Sequence, residues 1–147
     1  IVKEGTLETF LHNRKTAKKD GVETTGHAYK PSYKGTISIA PHHFVLEPTS
    51  TTVEELIAPI EKGVYITDLA GLHSGANAIS GDFSVAANGF VIENGKIGQP
   101  ITQMTIAGNF FDYLQQIEGV ANDLHPTGIS VTSPTIRLEK LAVTVEQ

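Results

Sequence analysis

The residues best suited to hydrolytic chemistry lie close together in the middle of the chain. His73 and Ser74 precede Asp82, and these are the residue types of a general base, a nucleophile and an orienting acid. However, neighbouring side chains of an extended backbone point in opposite directions, so His73 and Ser74 would diverge. The G-x-S-x-G motif that exposes a nucleophilic serine is also missing around Ser74. The pattern therefore favours a structural turn, or a wall that faces a peptide, over a catalytic set.

Histidines form the second group with chemical potential, since imidazole and carboxylate groups bind zinc. The candidates are His42, His43, His73 and His125, and none of them has a short ligand spacing such as H-x-x-x-H. His42 and His43 would point to opposite faces of a strand. The sequence has no cysteine, which excludes thiolate ligands and disulfides. We therefore predict loop or surface histidines, no metal or other cofactor held by this chain, and no catalytic residue in it.

The segment from Gly75 to Gly81 superficially resembles a phosphate-binding loop. A P-loop has a lysine after its second glycine to reach the phosphates, whereas this segment continues with Asp82, whose charge would repel them. Its glycines permit the tight bends and positive φ angles of a compact loop. We expect this loop to line a peptide groove or a subunit interface through His73, Gly75, Asn77, Gly81 and Asp82.

Two predicted strands position this loop. Residues 64–67 are β-branched and aromatic, which indicates a strand. Residues 82–88 alternate, with Phe83, Val85 and Ala87 on one side, and this is the two-residue period of a strand. We expect Gly89 to break this second strand.

A β-hairpin is predicted directly after that glycine. Asn94-Gly95 suits a two-residue type I′ turn, which requires positive φ at both central residues. The turn would place Glu93 opposite Lys96 and Ile92 opposite Ile97, one charge pair and one apolar pair across the strands. Residues 100–107 can then form the next strand.

Two helices flank this central region. Residues 110–118 follow Asn109, a good N-cap, and precede Gly119, which is placed to end the helix. Residues 52–62 begin with a capping box formed by Thr52 and Glu55, and Pro59 predicts a kink or an early end near residue 58. The helix at residues 110–118 carries one apolar stripe: Phe110, Phe111, Leu114 and Ile117.

The remaining segments add strands and loops. A strand at residues 6–12 is predicted to run into a short basic helix at 14–19, and residues 21–35 read as a loop that could grip a peptide, contact a subunit or act as a link. Further extended segments are predicted at 36–39, 43–47, 120–124, 129–132 and 135–145, with a turn at 125–128. The order of elements lacks regular β-α-β alternation. It predicts an α+β fold that is β-rich, with a mainly antiparallel sheet, sandwich or barrel-like, and two or three short helices.

Composition narrows the class of protein. The chain has 147 residues, which predicts a single domain over residues 1–147. Its net charge is −5, and its only basic run, at 14–19, suits a solvated helix face better than a nucleic-acid site. We find no apolar run long enough to cross a bilayer and no secretory signal. Because the chain begins at Ile1 without methionine, we expect it to be the tail of a longer protein.

Three stretches of the sequence resemble the C-terminal part of the PmbA/TldD family, peptidases that are also described as modulators of DNA gyrase. The stretches are HSGANAISGDFSVAANGFVIENGKI, PITQMTIAGNFFDYLQQI and SPTIRLEKLAV, at residues 73–97, 100–117 and 133–143. The resemblance extends over nearly the whole chain. It implies a cytoplasmic protein linked to the cleavage of peptide precursors and unfolded polypeptides.

The same resemblance separates two branches of the family. In the TldD-type branch, two histidines of a helical HExxxH motif and a cysteine near the C-terminus bind zinc. Here the corresponding C-terminal region reads DLHPTG, residues 123–128, without cysteine, and no HExxxH is present. The HExxxH helix would lie upstream of this chain, so the choice between the two branches depends on the missing cysteine. It points to the PmbA (TldE) branch, whose members resemble non-metal partners of the TldD-type peptidase.

The function implied by this resemblance is that of a partner subunit, with a peptide-binding or assembly surface. Its partners would be a TldD-like subunit or a second copy of itself, and a peptide substrate, but neither nucleic acid nor a membrane. The alternative is a metallopeptidase whose HExxxH lies upstream and in which Asp123 or His125 replaces the cysteine. A third, weaker alternative, suggested by the family's older name, is a protein that modulates DNA gyrase directly.

Overall fold

The computed structural model describes residues 1–125 and 131–145. The helices are α1 Arg14–Asp20, α2 Val53–Ile57, α3 Leu72–Gly75 and α4 Phe110–Gln115. The strands are β1 Val2–Lys3, β2 Thr6–Leu7, β3 Ala28–Tyr29, β4 Ser38–Ile39, β5 Phe44–Val45, β6 Lys62–Ala70, β7 Asp82–Glu93, β8 Lys96–Asn109, β9 Ile117–Val120, β10 Val131–Thr132, β11 Ile136–Leu138 and β12 Ala142–Val145. The predicted turn at 125–128 and the start of the strand at 129–132 lie largely outside the described residues.

The described residues divide into two compact units. One comprises residues 1–45 with 131–132, and the other comprises residues 46–125 with 133–145. The expectation of a single domain over 1–147 stays a prediction. Strands outnumber the short helices in both units, so the β-rich α+β class is confirmed.

The first unit contains three small two-stranded sheets. β1 pairs with β2 and β3 pairs with β4, both antiparallel, whereas β5 pairs in parallel with β10. The basic helix α1 is confirmed, with Asn13 and Thr16 forming a capping box and Gly21 ending the helix in the left-handed conformation at φ 69°. The predicted strand at 6–12 was too long, since only Thr6–Leu7 pairs. The predicted loop at 21–35 is irregular apart from β3.

The second unit is built on a four-stranded antiparallel sheet in the order β12-β8-β7-β6. One face of this sheet holds the core: Val85 and Ala87 of β7 lie with Met104 and Ile106 of β8 in one buried cluster. These residues alternate with exposed ones, as the two-residue period of β7 predicted. The described residues form an open sheet, not a closed barrel.

The hairpin between β7 and β8 has the predicted register. Glu93 lies opposite Lys96 and Ile92 opposite Ile97, and Asn94-Gly95 adopts positive φ angles of 49° and 72°. The prediction that Gly89 ends the strand was wrong. β7 continues through Gly89, where its pairing with β6 and with β8 shifts by one residue in a bulge. Glycine is needed at this position because a Cβ there would collide with the carbonyl oxygen of Tyr65.

The helices of the second unit are shorter than predicted. α2 begins with the predicted capping box of Thr52 and Glu55 and ends at Ile57, with Ala58 as its C-cap, so it stops before Pro59 as expected. α4 is capped by Asn109 but stops at Gln115, so the prediction that Gly119 ends this helix was wrong. Gly119 lies in β9, which pairs with β11. The predicted strand at 120–124 is reduced to the end of β9 and a single bridge at Ala121.

None of the helices in the described part of the chain is long and apolar enough to cross a bilayer.

Candidate functional site

The glycine loop, residues 71–81, leaves the edge of the sheet and returns to it. β6 ends at Ala70, and Gly71 turns the chain with φ 85° into the one-turn helix α3. Ala76 then forms an isolated antiparallel bridge with Phe83 of β7. The sequence predicts a loop over this segment, and the one-turn helix α3 differs from that prediction. The loop is therefore anchored to the sheet at both ends.

Asn77 fixes the tip of the loop from within. Its Oδ1 accepts hydrogen bonds from the backbone N–H of Ile79 at 2.9 Å and of Ser80 at 3.2 Å. Its carbonyl oxygen accepts from the N–H of Gly81 at 2.8 Å, and its own N–H donates to the carbonyl oxygen of Asp82 at 2.8 Å. Asparagine is well suited to this role because its short side chain can bond backbone groups two and three residues ahead.

Asn109 ties the loop to the start of α4. Its Nδ2 donates to the carbonyl oxygen of Ser80 and to Oδ1 of Asp82, both at 2.8 Å. Its Oδ1 accepts from the N–H of Phe111 at 2.9 Å, which caps α4. Hydrogen bonds from the side chains of Asn109 and Ser80 lower the pKa of Asp82. The carboxylate of Asp82 therefore stays charged in mildly acidic solution.

Gly81 allows α4 to approach the loop closely. The N–H of Phe110 donates to the carbonyl oxygen of Gly81 at 2.8 Å. Gly81 has φ 82°, and a Cβ there would lie 2.6 Å from Cδ2 of the Phe111 ring. Any other residue at this position would have a strained backbone, and its Cβ would collide with the aromatic ring.

An open surface depression of about 530 Å³ lies against the loop. Its lining consists of Ser74, Gly75, Ala76, Asn77, Ala78, Ile79 and Asp82. The rim is wide, so the depression could receive part of another chain but does not enclose a small molecule.

The structure brings together three of the five residues predicted for this site. Gly75, Asn77 and Asp82 line the depression. His73 lies on α3 outside the lining, and Gly81 faces the Phe111 ring. Their binding role stays a prediction.

Large apolar side chains around the loop were missed as site residues. Ile79 at the tip is 92% exposed, and Phe110, Phe111 and Leu114 of α4 are 49–54% exposed. The α4 residues belong to the apolar stripe noted in the sequence, but this stripe lies half in solvent. An isoleucine among small and polar neighbours, in ANAISG, was the available signal for Ile79.

The histidines of the first unit take part in local packing and hydrogen bonds. The rings of His27 and His42 stack with their centroids 5.4 Å apart, and Nε2 of His43 lies 2.9 Å from Oγ1 of Thr132. Across residues 1–125 and 131–145, no three His, Asp or Glu side chains lie close enough to share a metal ion. The described residues therefore do not by themselves fit a zinc site.

The chain belongs to the PmbA/TldD family. Residues 1–145 match the family model described as the PmbA/TldA metallopeptidase C-terminal domain. The chain is 35% identical over 145 residues to the protein named metalloprotease PmbA homolog of Haemophilus influenzae, covering 97% of this chain and 29% of that protein. It is 36% identical over 124 residues to metalloprotease PmbA of Escherichia coli O157:H7, covering 84% and 25%.

Solved structures agree with this assignment. A Thermotoga maritima protein described as a candidate modulator of a DNA gyrase superposes with a TM-score of 0.88 at 41% identity, covering 97% of this chain and 32% of that one. TldE from Thermococcus kodakarensis superposes with a TM-score of 0.84 at 28% identity, covering 97% and 32%. The chain thus spans a quarter to a third of the length of these relatives.

Proposed function

We propose that this chain forms part of a non-metal partner subunit in a TldD/PmbA-type peptidase system. In this role it contributes a peptide-binding or assembly surface to the processing of peptide precursors in the cytoplasm. Its partners are a TldD-type subunit or a second copy, together with the peptide substrate.

The single observation that carries this proposal is the construction of the glycine loop. Asn77 and Asn109 hold its backbone through three side-chain hydrogen bonds, and Asn109 makes two more, to the carboxylate of Asp82 and to the N–H of Phe111. Even so, the loop tip and the neighbouring α4 expose large apolar side chains to solvent. A rigid loop with exposed apolar groups is typical of a surface that binds another protein. The absence of cysteine from the sequence supports the non-metal branch, by resemblance.

The outer edge of β6 offers a second means of binding within the same function. β6 is nine residues long and terminates the four-stranded sheet in the part of the chain that the structure describes. An extended peptide can add to such an edge through main-chain hydrogen bonds, with little demand on its side chains. This mode suits a system that handles unfolded polypeptides of varied sequence.

Zinc analysis of the protein at its natural length, alone and mixed with a purified TldD-type protein, tests the proposal. We expect stoichiometric zinc and peptidase activity only in the samples that contain the TldD-type protein. Stoichiometric zinc retained by this protein alone after gel filtration would contradict the proposal.

A second candidate function is a metallopeptidase that is active on its own. The names of the bacterial relatives, metalloprotease PmbA and its homolog, favour it. In this case an HExxxH motif elsewhere in the polypeptide would supply the histidines, and Asp123 or His125 would complete the site. The same zinc measurement decides between the two candidates, and Asp123→Ala would then lower zinc content.

Modulation of DNA gyrase is the weakest candidate. It rests on the description of a solved relative, and a net charge of −5 opposes direct contact with DNA.

A further inference from the structure

We propose that Ile79 is the central anchor of an interface with a folded partner subunit. The surface around it, called here the Ile79 patch, consists of Ile79, Phe110, Phe111 and Leu114. The inference deepens the proposed function and rests on it, because it identifies where the partner subunit docks and what chemistry its docking face must have.

The patch combines one exposed apolar side chain of the loop tip with three of α4. Phe111 packs against Gly81, two residues beyond Ile79. The rings of Phe110 and Phe111 lie edge to face with centroids 5.9 Å apart, and Leu114 follows at helical spacing on α4. All four side chains are at least 49% exposed. Burying them against a partner would remove a large apolar area from water.

The anchor is already held in place before any partner binds. The N–H of Ile79 itself is bonded to Oδ1 of Asn77 at 2.9 Å, and the carbonyl oxygen of Ser80, the next residue, is bonded by Asn109 at 2.8 Å. Ordering a flexible loop on binding costs conformational entropy and weakens association. Here the loop is already ordered in the folded chain, so binding does not lose this entropy.

The shape of the patch favours a folded partner over a peptide. Ile79 is 92% exposed although it lines one side of the depression. Covering nearly the whole of such a side chain requires a concave surface, which a folded subunit can supply and a single extended peptide cannot. Interface anchors of this kind fill pockets on the partner.

The charges beside the patch favour a partner different from this chain. Asp82 lies at the depression next to Ile79, and Asp112 lies in the first turn of α4. Two copies meeting through the patch would bring these like charges towards one another, which is unfavourable at an interface. The complementary partner has an apolar pocket whose rim carries lysine or arginine.

The test uses the protein at its natural length and a purified TldD-type protein as the probe. Ile79→Asp is the informative variant, because an almost fully exposed side chain can be changed without disturbing the fold. Ile37→Asp is the matched control, since Ile37 is 62% exposed and lies in the other compact unit. Affinities are measured by isothermal titration calorimetry, and masses by light scattering during gel filtration.

We expect Ile79→Asp to weaken the complex by about tenfold or more, as is usual for an interface anchor, and Ile37→Asp to leave it unchanged. We also expect salt to weaken the wild-type complex, and Asp112→Asn to reduce that salt dependence, because the flanking charges are screened. Equal affinity of Ile79→Asp and wild type would overturn the inference while leaving the proposed function intact.

Three other results would each assign the patch differently. A homodimer that Ile79→Asp dissociates would identify a second copy as the occupant. A lower melting temperature of Ile79→Asp, with unchanged affinity for the TldD-type protein, would show that another part of the same polypeptide covers the patch. A raised KM for peptides with an unchanged complex would identify the substrate. If the wild-type proteins form no complex at all, both this inference and the proposed partner role fail.

Discussion

Nδ2 of Asn109 donates a hydrogen bond to Oδ1 of Asp82 at 2.8 Å, across the point where β7 begins and β8 ends. The same amide caps α4 through its oxygen and holds the carbonyl oxygen of Ser80. One side chain thus joins the sheet, the glycine loop and the helix. Asn109 therefore holds the loop tip from outside, as Asn77 holds it from within.

Asn109→Ala should lower the free energy of unfolding by about 1–2 kcal/mol, because it removes a helix cap and two further hydrogen bonds. Urea denaturation measures this change. Asn13→Ala, which removes the cap of α1, is the control for the loss of a cap alone. Hydrogen exchange should accelerate at Ile79 and Ser80 in Asn109→Ala and not in Asn13→Ala. Unchanged exchange at these amides would show that Asn109 does not hold the loop.

Gly81→Ala should destabilise the protein more than Gly71→Ala. Both glycines have positive φ, 82° and 85°, so each alanine costs about 1 kcal/mol in backbone strain. Only at Gly81 does the added methyl group also meet an aromatic ring, that of Phe111, whereas nothing lies within 4 Å at Gly71. Thermal unfolding of the two variants compares the costs, and equal melting temperatures would mean that the ring moves aside freely.

Gly89→Ala should cost about 2–4 kcal/mol, because its Cβ would meet the backbone of Tyr65, which cannot rotate away. Gly98→Ala is the matched control in the neighbouring strand. Its nearest neighbour is the carbonyl oxygen of Val91 at 3.6 Å, an ordinary contact, so alanine there should be neutral or slightly stabilising. Guanidinium denaturation of both variants measures the difference. A cost at Gly98 equal to that at Gly89 would refute the role assigned to the bulge.

Stability should fall as the pH is lowered through the pKa of an unfolded aspartate, about 3.9, towards the lower pKa of Asp123 in the folded protein. Burial by itself would raise the pKa of Asp123, but hydrogen bonds from the N–H and Oγ1 of Thr135, both at 2.8 Å, and the charge of His125 outweigh it and lower the pKa. A pKa that is lower in the folded state contributes stability above the unfolded pKa, and this contribution disappears as pH falls through the folded value.

Asp123→Asn should therefore flatten the decline of unfolding free energy between about pH 5 and pH 3. Asp112→Asn is the control for the loss of one exposed carboxylate elsewhere in the second unit. Urea titrations at several pH values provide the measurement. A decline of equal slope in Asp123→Asn and wild type would remove Asp123 from the explanation.

Features governed by neighbouring residues could be predicted from the sequence. The turn at Asn94-Gly95 follows from the φ preferences of two residues, and the capping box of Thr52 and Glu55 follows from a three-residue spacing. The position of Asn109 before an apolar helix identified the cap of α4 in the same way. Each of these depends on contacts within one turn of chain, so no knowledge of the fold was needed.

Features that depend on distant partners could not be predicted in this way. The sequence predicts a strand break at Gly89, yet this glycine lies in a bulge within β7. It is required there because the backbone of Tyr65, on the neighbouring strand, leaves no room for a side chain. The apolar stripe of α4 looks like a core-facing surface, but whether a stripe meets a core or solvent depends on tertiary packing. The bridge between Ala76 and Phe83, which shapes the candidate site, leaves no pattern in the sequence.

Because Ala76 pairs with Phe83 of β7, the tip residues 77–81 lie beyond this bridge, and the pairing of β6, β7 and β8 does not rely on them. A foreign segment of different length could be grafted between these two points without altering how the strands align. The chain therefore separates the part that specifies its architecture from the part that can be exchanged to recognise something new.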